Sequence, residues 1–263
     1  MNGPFHVEPG MAIGNGLRIM SRLGAGGSCE VWRASTQGRA DVAIKVPRAD
    51  VDAAAELVRR EYRVLNKLDH PGIVELLALV EPEGLPCVVT GILEGGDLVP
   101  LLGTRHACWV RAMLQVVEAL GYLHERGWIH GDVKPRNVMF GATGEAKLVD
   151  FSHAARIGDA LTGGGTPGYL RPDRSSKAAT DDDVHALAVT LYELVFGRLP
   201  FGPDDGRGDV ETEAEDKPSP KPGSAAAALD DLILGTLSGW ENAPSGSVRP
   251  FADVLKSAVA ELE

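Results

Sequence analysis

Residues 130–137 read His130-Gly131-Asp132-Val133-Lys134-Pro135-Arg136-Asn137. Two short extended segments with a turn between them follow this stretch, and they end at Asp150. Such a hairpin brings two carboxylates and an amide, those of Asp132, Asp150 and Asn137, to the same strand ends. Hard oxygen ligands of this kind suit Mg²⁺. The alternative is that these residues lie in ordinary solvated turns and bind no metal.

The chain before residue 91 has the patterning of a sheet with one helix. Short apolar runs bounded by turn-forming glycines predict strands within 17–46, 73–80 and 86–90. Between them, at 51–68, apolar residues recur every three to four positions, which predicts an amphipathic helix.

The chain after the glycine-containing stretch 91–96 turns helical. Apolar stripes at helical spacing predict core helices at 109–123 and 184–196, and a last helix is predicted at 251–262. The second of these is expected to stop at Gly197, because glycine is the usual residue just beyond a helix end.

Further motifs stand on either side of the opening stretch. They are Leu23-Gly24-Ala25-Gly26-Gly27-Ser28-Cys29-Glu30-Val31, Val42-Ala43-Ile44-Lys45, Glu61, Asp150-Phe151-Ser152 and Gly165-Thr166-Pro167-Gly168-Tyr169. Each alone is a weak signal, since a glycine-rich turn is commonly a tight hairpin and a lone strand lysine is usually solvated. In this order they make the chain from Leu17 to its end resemble a eukaryotic-type (Hanks-type) Ser/Thr protein kinase domain.

The resemblance implies an α+β fold of two lobes. We expect an N-terminal extension at 1–16, a β-rich N-lobe with one helix at 17–90, a hinge at 91–96 and a mainly helical C-lobe at 97–263.

The resemblance also implies ATP and Mg²⁺ as cofactors and assigns four catalytic residues. Lys45 would hold the α- and β-phosphates and would be oriented by Glu61. Asp132 would accept the proton of the substrate hydroxyl, and Lys134 would steady the γ-phosphate.

Further residues take nucleotide and metal roles by the same resemblance. The metal ligands would be Asn137 and Asp150, and the residues at the nucleotide, besides Lys45, would be Leu23, Gly24, Gly26, Gly27, Val31, Ala43, Thr90, Ile92 and Met139. The residues expected to form a packed stack are Leu65, Leu76, His130 and Phe151. His130 is therefore given a core role and no catalytic part.

The expected substrate is a protein Ser/Thr hydroxyl, because Lys134 and Thr166 are similar to the Ser/Thr kinase pattern. Two alternatives stay open at this point. One is a pseudokinase that senses nucleotide or acts as a scaffold. The intact catalytic and metal-binding residues argue against this alternative. The other is a small-molecule kinase of the aminoglycoside or choline type, which shares the His-Gly-Asp fragment but not the other motifs.

Four positions depart from the family pattern, namely Cys29, Gly131, Ser152 and Asp173. Cys29 stands at a usual loop glycine, Ser152 restricts the backbone after Asp-Phe, and Asp173 is expected to pair with Arg249. Gly131 replaces an arginine that in many relatives pairs with a phosphorylated activation loop. We therefore expect basal activity without loop phosphorylation. The expected phosphate acceptor is Thr162, and the cations offered to it are Arg156, Arg171 and Arg174.

Composition narrows the remaining function classes. The net charge of the 263-residue chain is −11, which argues against a nucleic-acid partner. Apolar runs shorter than ~18 residues predict no membrane span, and the Gly/Pro-containing N-terminus does not read as a secretory signal.

The widely spaced Cys29, Cys87 and Cys108 give neither a disulfide framework nor a zinc site, so a cytoplasmic location is expected. The acidic segment 202–223, rich in Gly and Pro, is predicted to be a mobile loop. By the family resemblance, this segment takes the place of a helix that helps to dock protein substrates.

Overall fold

The computed structural model describes residues 6–14, 16–36, 39–48, 51, 53–104, 107–161, 164–201, 223–238 and 246–262. The predicted acidic loop 202–223, except Gly223, and the predicted phosphate acceptor Thr162 lie outside these residues. The chain forms two compact units. The first unit comprises residues 1–69, 73–94 and 150–153, and the second comprises 70–72, 95–149 and 154–263.

The first unit is built on a six-stranded antiparallel sheet. Its strands are β1 (Ala12–Ile13), β2 (Leu17–Ala25), β3 (Cys29–Thr36), β4 (Arg39–Pro47), β5 (Leu76–Val80) and β6 (Cys87–Gly91). They are arranged in the order β1-β2-β3-β4-β6-β5. Residues before Leu17 take part in this unit, since β1 pairs with β2 and Val7 lies in the core.

Alternation along the strands separates a core face from a second face. Trp32 and Ala34 of β3, with Ile44 of β4, are buried in the core of the unit. Their neighbours in sequence point to the opposite side of the sheet, because successive strand side chains alternate. This second face carries the predicted nucleotide residues Val31, Ala43, Lys45 and Thr90, which the register places on adjacent strands.

Among the described residues of the first unit, the α-helix is α1 (Ala54–Leu65). Its buried residues include Val58, Glu61 and Leu65, which recur every three to four positions and form one face. That face packs on β4, β5 and β6 and on the 3₁₀ turn Phe151–His153. A buried glutamate on an apolar helix face requires a charged or hydrogen-bonding partner.

The second unit is mainly helical. Its α-helices among the described residues are α2 (Ala107–Glu125), α3 (Thr180–Phe196), α4 (Ala225–Ser238) and α5 (Arg249–Ala260). Its short strands are β7 (Trp128–Ile129), β8 (Val138–Phe140), β9 (Ala146–Leu148) and β10 (Ala155–Arg156), paired as β7–β10 and β8–β9. Helix α2 packs on α5 and α3 packs on α4, so the four helices form the core of the unit.

Helix α3 is buried along nearly its whole length and begins four residues before the predicted position. Its first turn holds Asp181, Asp182 and Asp183, whose charge favours a helix N-terminus but hides the start from an apolar pattern. The Asp182 carboxylate also accepts a hydrogen bond from the Ala179 N–H. The helix ends as predicted at Gly197, which takes a left-handed φ of 76°.

These elements confirm the predicted α+β class, with a sheet-rich unit that has one helix and a mainly helical unit. Among the described residues, no helix is long and apolar enough to cross a membrane. The thiols of Cys29 and Cys87 are free and buried.

Candidate active site

Lys45 is the centre of a charged cluster in the first unit. Its Nζ lies 2.7 Å from Glu61 Oε2 and 2.6 Å from Asp150 Oδ1. Strand β4 and helix α1 supply the first pair, and the residues just before the 3₁₀ turn supply Asp150. Burial alone would lower the pKa of Lys45, but the two carboxylates raise it above its ordinary value, so the amine stays protonated.

Glu61 joins this cluster to the segment after Asp150. Its Oε1 accepts a hydrogen bond from the Phe151 N–H at 3.2 Å, and the Phe151 side chain is fully buried. Asp150 takes a positive φ of 64°, which is uncommon for a residue with a Cβ. Contacts on both sides therefore hold Asp150 in a backbone conformation that an unconstrained chain rarely adopts.

The glycine-rich turn between β2 and β3 is open above its backbone. A Cβ built at Gly24 or Gly27 would meet no atom within 4 Å. Neither glycine has a positive φ, so the local fold does not require glycine at these positions. The Gly26 N–H is bonded to the Cys29 carbonyl at 2.8 Å, which closes the turn. Room at the backbone is what a phosphate-binding turn needs.

Cys29, at the start of β3, and two predicted nucleotide residues of the first unit, Leu23 and Ile92, have distinct environments. Burial raises the pKa of the Cys29 thiol to about 11, so it is a protonated thiol at neutral pH. Leu23 is 49% exposed, and Ile92 follows the end of β6 and is partly buried.

Asp132 is the centre of a second cluster, which lies in the second unit. Its Oδ2 is 2.6 Å from Lys134 Nζ and accepts a hydrogen bond from Asn137 Nδ2 at 3.0 Å. Its Oδ1 accepts one from Thr166 Oγ1 at 2.8 Å, and Lys134 Nζ also contacts Thr166 Oγ1 at 2.5 Å. The 3₁₀ turn 135–137 bends the chain so that both ends of the Lys134–Asn137 stretch reach one carboxylate.

The charge state of Asp132 follows from these partners. Burial would raise its pKa, but the hydrogen bond and positive charge of Lys134 and the Thr166 hydroxyl lower it below the ordinary value. Asp132 is therefore a carboxylate at neutral pH. Asn137 also donates to the Asp132 carbonyl at 2.8 Å, which leaves its amide oxygen as the atom that could bind a metal.

The backbone under Asp132 is fixed by buried polar groups. The Asp183 carboxylate at the start of α3 accepts the N–H groups of His130 and Gly131, both at 2.8 Å, and lies 2.9 Å from His124 Nε2. His130 is fully buried and contacts the Asp132 N–H and the Val149 carbonyl. These contacts agree with a core role for His130. Its expected stacking partners Leu65 and Phe151 are buried in the first unit and Leu76 is half-buried there, and the stack itself stays a prediction.

Sequence reasoning did not single out Asp183 or the Ser152 hydroxyl, and it named Arg174 only as a cation for a loop phosphate. Asp183 is one of three acidic residues that look like ordinary helix-start charges, and only its complete burial sets it apart. Arg174 donates from Nη1 to the Gly164 carbonyl at 3.0 Å. The expected pairing of Asp173 with Arg249 is wrong: Asp173 lies 2.9 Å from Arg171, which is only two residues away, and Arg249 is exposed.

Met139, on β8, is half-buried in the second unit and forms an isolated bridge with Asp97. Lys45, Glu61 and Asp150 thus meet in the first unit, while Asp132, Lys134 and Asn137 meet in the second.

A sheet-rich unit with a buried Lys–Glu pair and a helical unit with an Asp–Lys–Asn cluster define a protein kinase fold. The chain belongs to the protein kinase domain family, which matches residues 17–238.

Curated relatives from bacteria are similar to this chain over most of its length. It is 33% identical to the serine/threonine-protein kinase Pkn1 of Myxococcus xanthus, over 93% of this chain and 38% of the relative. It is 31% identical to the DNA damage-responsive serine/threonine-protein kinase RqkA of Deinococcus radiodurans, over 93% of this chain and 39% of the relative. It is 32% identical to the serine/threonine-protein kinase PknB of Mycobacterium tuberculosis, over 90% of this chain and 41% of the relative. The chain therefore spans about two fifths of the length of these relatives.

Proposed function

We propose that this chain catalyses ATP- and Mg²⁺-dependent transfer of the γ-phosphate to Ser/Thr hydroxyls of protein substrates. The observation that carries the proposal is the buried, ionised Asp132 held by Lys134, Asn137 and Thr166. The family membership and the names of the relatives support the same activity.

The residues present fit ATP and Mg²⁺, which protein kinases generally use. Mg²⁺ prefers hard oxygen ligands, and Asp150 offers a carboxylate while Asn137 offers an amide oxygen. The turn at Gly24 and Gly27 has room above its backbone for phosphate oxygens. When bound, ATP supplies the transferable phosphoryl group and the metal neutralises its charge.

The side chains of this chain then have separate tasks. Lys45, kept protonated by Glu61 and Asp150, neutralises phosphate charge. Val31, Ala43 and Thr90 lie on the same sheet face as Lys45. We expect them to contact the nucleotide together with Leu23, Gly26 and Ile92 of the same unit. The nucleotide contact of Met139, in the second unit, stays a prediction from the family resemblance. Asp132 orients the substrate hydroxyl and accepts its proton, and Lys134 steadies the γ-phosphate. Thr166 fixes the Asp132 carboxylate through Oδ1.

A protein Ser/Thr hydroxyl is the proposed acceptor because the curated relatives are Ser/Thr protein kinases. No described feature favours a pseudokinase, since the charged clusters expected of a catalytic domain are both assembled. The cytoplasmic location, the absence of nucleic-acid and membrane partners, and the boundaries 17–90, 91–96 and 97–263 stay predictions.

The test is incubation with labelled ATP, Mg²⁺ and a generic basic protein, followed by phosphoamino-acid analysis. We expect label on serine and threonine of the protein. Label confined to tyrosine would contradict the acceptor, and labelling of an aminoglycoside or choline without labelling of protein would contradict the protein-kinase assignment.

A further inference from the structure

The Ser152 side chain contacts the carboxylate of Asp150, two residues before it. Ser152 Oγ donates to Asp150 Oδ1 at 2.6 Å, and the Ser152 N–H approaches the same oxygen at 3.4 Å. Lys45 Nζ contacts that oxygen as well, at 2.6 Å. Three donors thus converge on Oδ1, and together they fix the plane of the carboxylate.

Ser152 is suited to a lasting contact of this kind. It is 6% exposed, so water has little access to compete for its hydroxyl. Among the described non-glycine residues, only Glu83 and Asp150 have positive φ, so Ser152 holds its side chain without left-handed strain. The segment is anchored from the other side by the Phe151 N–H, which is bonded to Glu61.

We propose that Ser152 is a positioning residue whose hydroxyl orients the Asp150 carboxylate for Mg²⁺. The proposal rests on the proposed function, because it takes Asp150 as a metal ligand. Hydrogen bonds to a ligating carboxylate hold it in one orientation, and losing such an outer contact typically weakens metal binding by about 10- to 100-fold. The effect of Ser152 on backbone freedom is a separate matter, because it depends on Cβ and not on the hydroxyl.

Two substitutions separate the hydroxyl from the backbone effect. Ser152→Ala removes the hydroxyl and keeps Cβ, whereas Ser152→Gly removes both. The matched control is Ser257→Ala on α5, which deletes a hydroxyl that donates to the Asp253 carbonyl within its own helix. Mg²⁺ affinity is measured by calorimetric titration into each protein with a non-hydrolysable ATP analogue.

We expect both Ser152 variants to bind Mg²⁺ about tenfold more weakly than the wild-type protein, with Ser257→Ala unchanged. A loss seen in Ser152→Gly but not in Ser152→Ala would assign the effect to the backbone and overturn the proposal. Equal affinity in all four proteins would overturn it too.

A metal-free measurement keeps this test independent of the proposed function. Without nucleotide or metal, we expect amide hydrogen exchange at residues 150–153 to be at least about fivefold faster in both Ser152 variants, because a restraint on Asp150 is lost. Unchanged exchange in Ser152→Ala would overturn the positioning role. A wild-type protein that binds nucleotide without regard to Mg²⁺ would contradict the proposed function, and exchange would still decide the role of Ser152.

Discussion

Thr166 donates a hydrogen bond from Oγ1 to Oδ1 of Asp132 at 2.8 Å, although 34 residues separate them in the chain. The bond joins the loop 164–168 to the stretch that carries Asp132. Lys134 contacts both partners, so each of the three side chains is hydrogen-bonded to the other two. The orientation of the proposed base therefore depends on a hydroxyl far from it in sequence.

Replacing Thr166 by valine should lower kcat while leaving the KM for ATP nearly unchanged. Valine keeps the shape but removes the hydroxyl, and a hydrogen bond to a charged group is worth about 1.5–3 kcal/mol, or roughly 10- to 100-fold. Steady-state kinetics on a protein substrate measures the change. Thr166→Ser is the control and should keep most of the activity. Equal loss in both variants would show that the hydroxyl is not the group that matters.

Asp150→Ala should abolish transfer and strongly weaken Mg²⁺-dependent ATP binding. The substitution removes a carboxylate ligand and leaves phosphate charge uncompensated. Calorimetry with and without Mg²⁺ measures the effect, and Asp159→Ala, at an exposed carboxylate of the second unit, is the control. ATP affinity equal to that of the wild-type protein would point to a pocket that does not use the metal.

Strands β2 to β6, the helix of the first unit and the helix stop at Gly197 were predictable because they follow from local patterning. The cluster of Lys45, Glu61 and Asp150 was predictable only through the family resemblance, since residues 105 apart in the chain meet at 2.6 Å. Neither the apolar periodicity of the sequence nor the spacing between its motifs predicts that contact.

Other features depend on burial, which the sequence does not display. The start of α3 was placed at Val184 because its acidic first turn carries no apolar signal, yet Asp182 and Asp183 are buried. The predicted pairing of Asp173 with Arg249 was wrong because Asp173 pairs with Arg171, two residues away in sequence. Short strands such as β7 and β10, of two residues each, are too brief to show alternation.

Activity should not depend on phosphorylation of the activation loop. Gly131 offers no guanidinium to a loop phosphate, and Arg174 already holds the Gly164 carbonyl at 3.0 Å and lies 3.5 Å from Asp182. Phosphatase-treated enzyme and the Thr162→Ala variant should both keep turnover within a few-fold of untreated protein. A tenfold loss on dephosphorylation, about 1.4 kcal/mol of barrier, would mean that another arginine receives a phosphate.

Acid should destabilise the folded protein through His185. Burial, aided by the charge of Arg171, lowers the pKa of this imidazole from 6.5 to about 4. Between these values the unfolded chain binds a proton that the folded protein does not, so the free energy of unfolding falls as pH falls from about 6.5 toward 4. The imidazole stacks on Phe201, and its Nε2 has no hydrogen-bond partner among the described residues.

Urea unfolding at several pH values measures this dependence. His185→Leu should flatten the loss of stability between about pH 6.5 and 4, while substitution of the exposed His6 by glutamine should leave it unchanged. An equally steep loss in His185→Leu would mean that other groups bind the protons.

Comparison of wild-type protein with Asp132→Asn tests the proposed phosphoryl transfer most directly. Labelled ATP, Mg²⁺ and a protein substrate report transfer, and calorimetry reports ATP affinity in the same two preparations. Loss of a general base costs roughly 10²- to 10⁴-fold in rate, and Asp132 does not hold the nucleotide, so transfer should fall by that factor with ATP affinity nearly unchanged. Asp132→Asn protein that keeps more than about a tenth of wild-type turnover would contradict the assignment of Asp132 as the base.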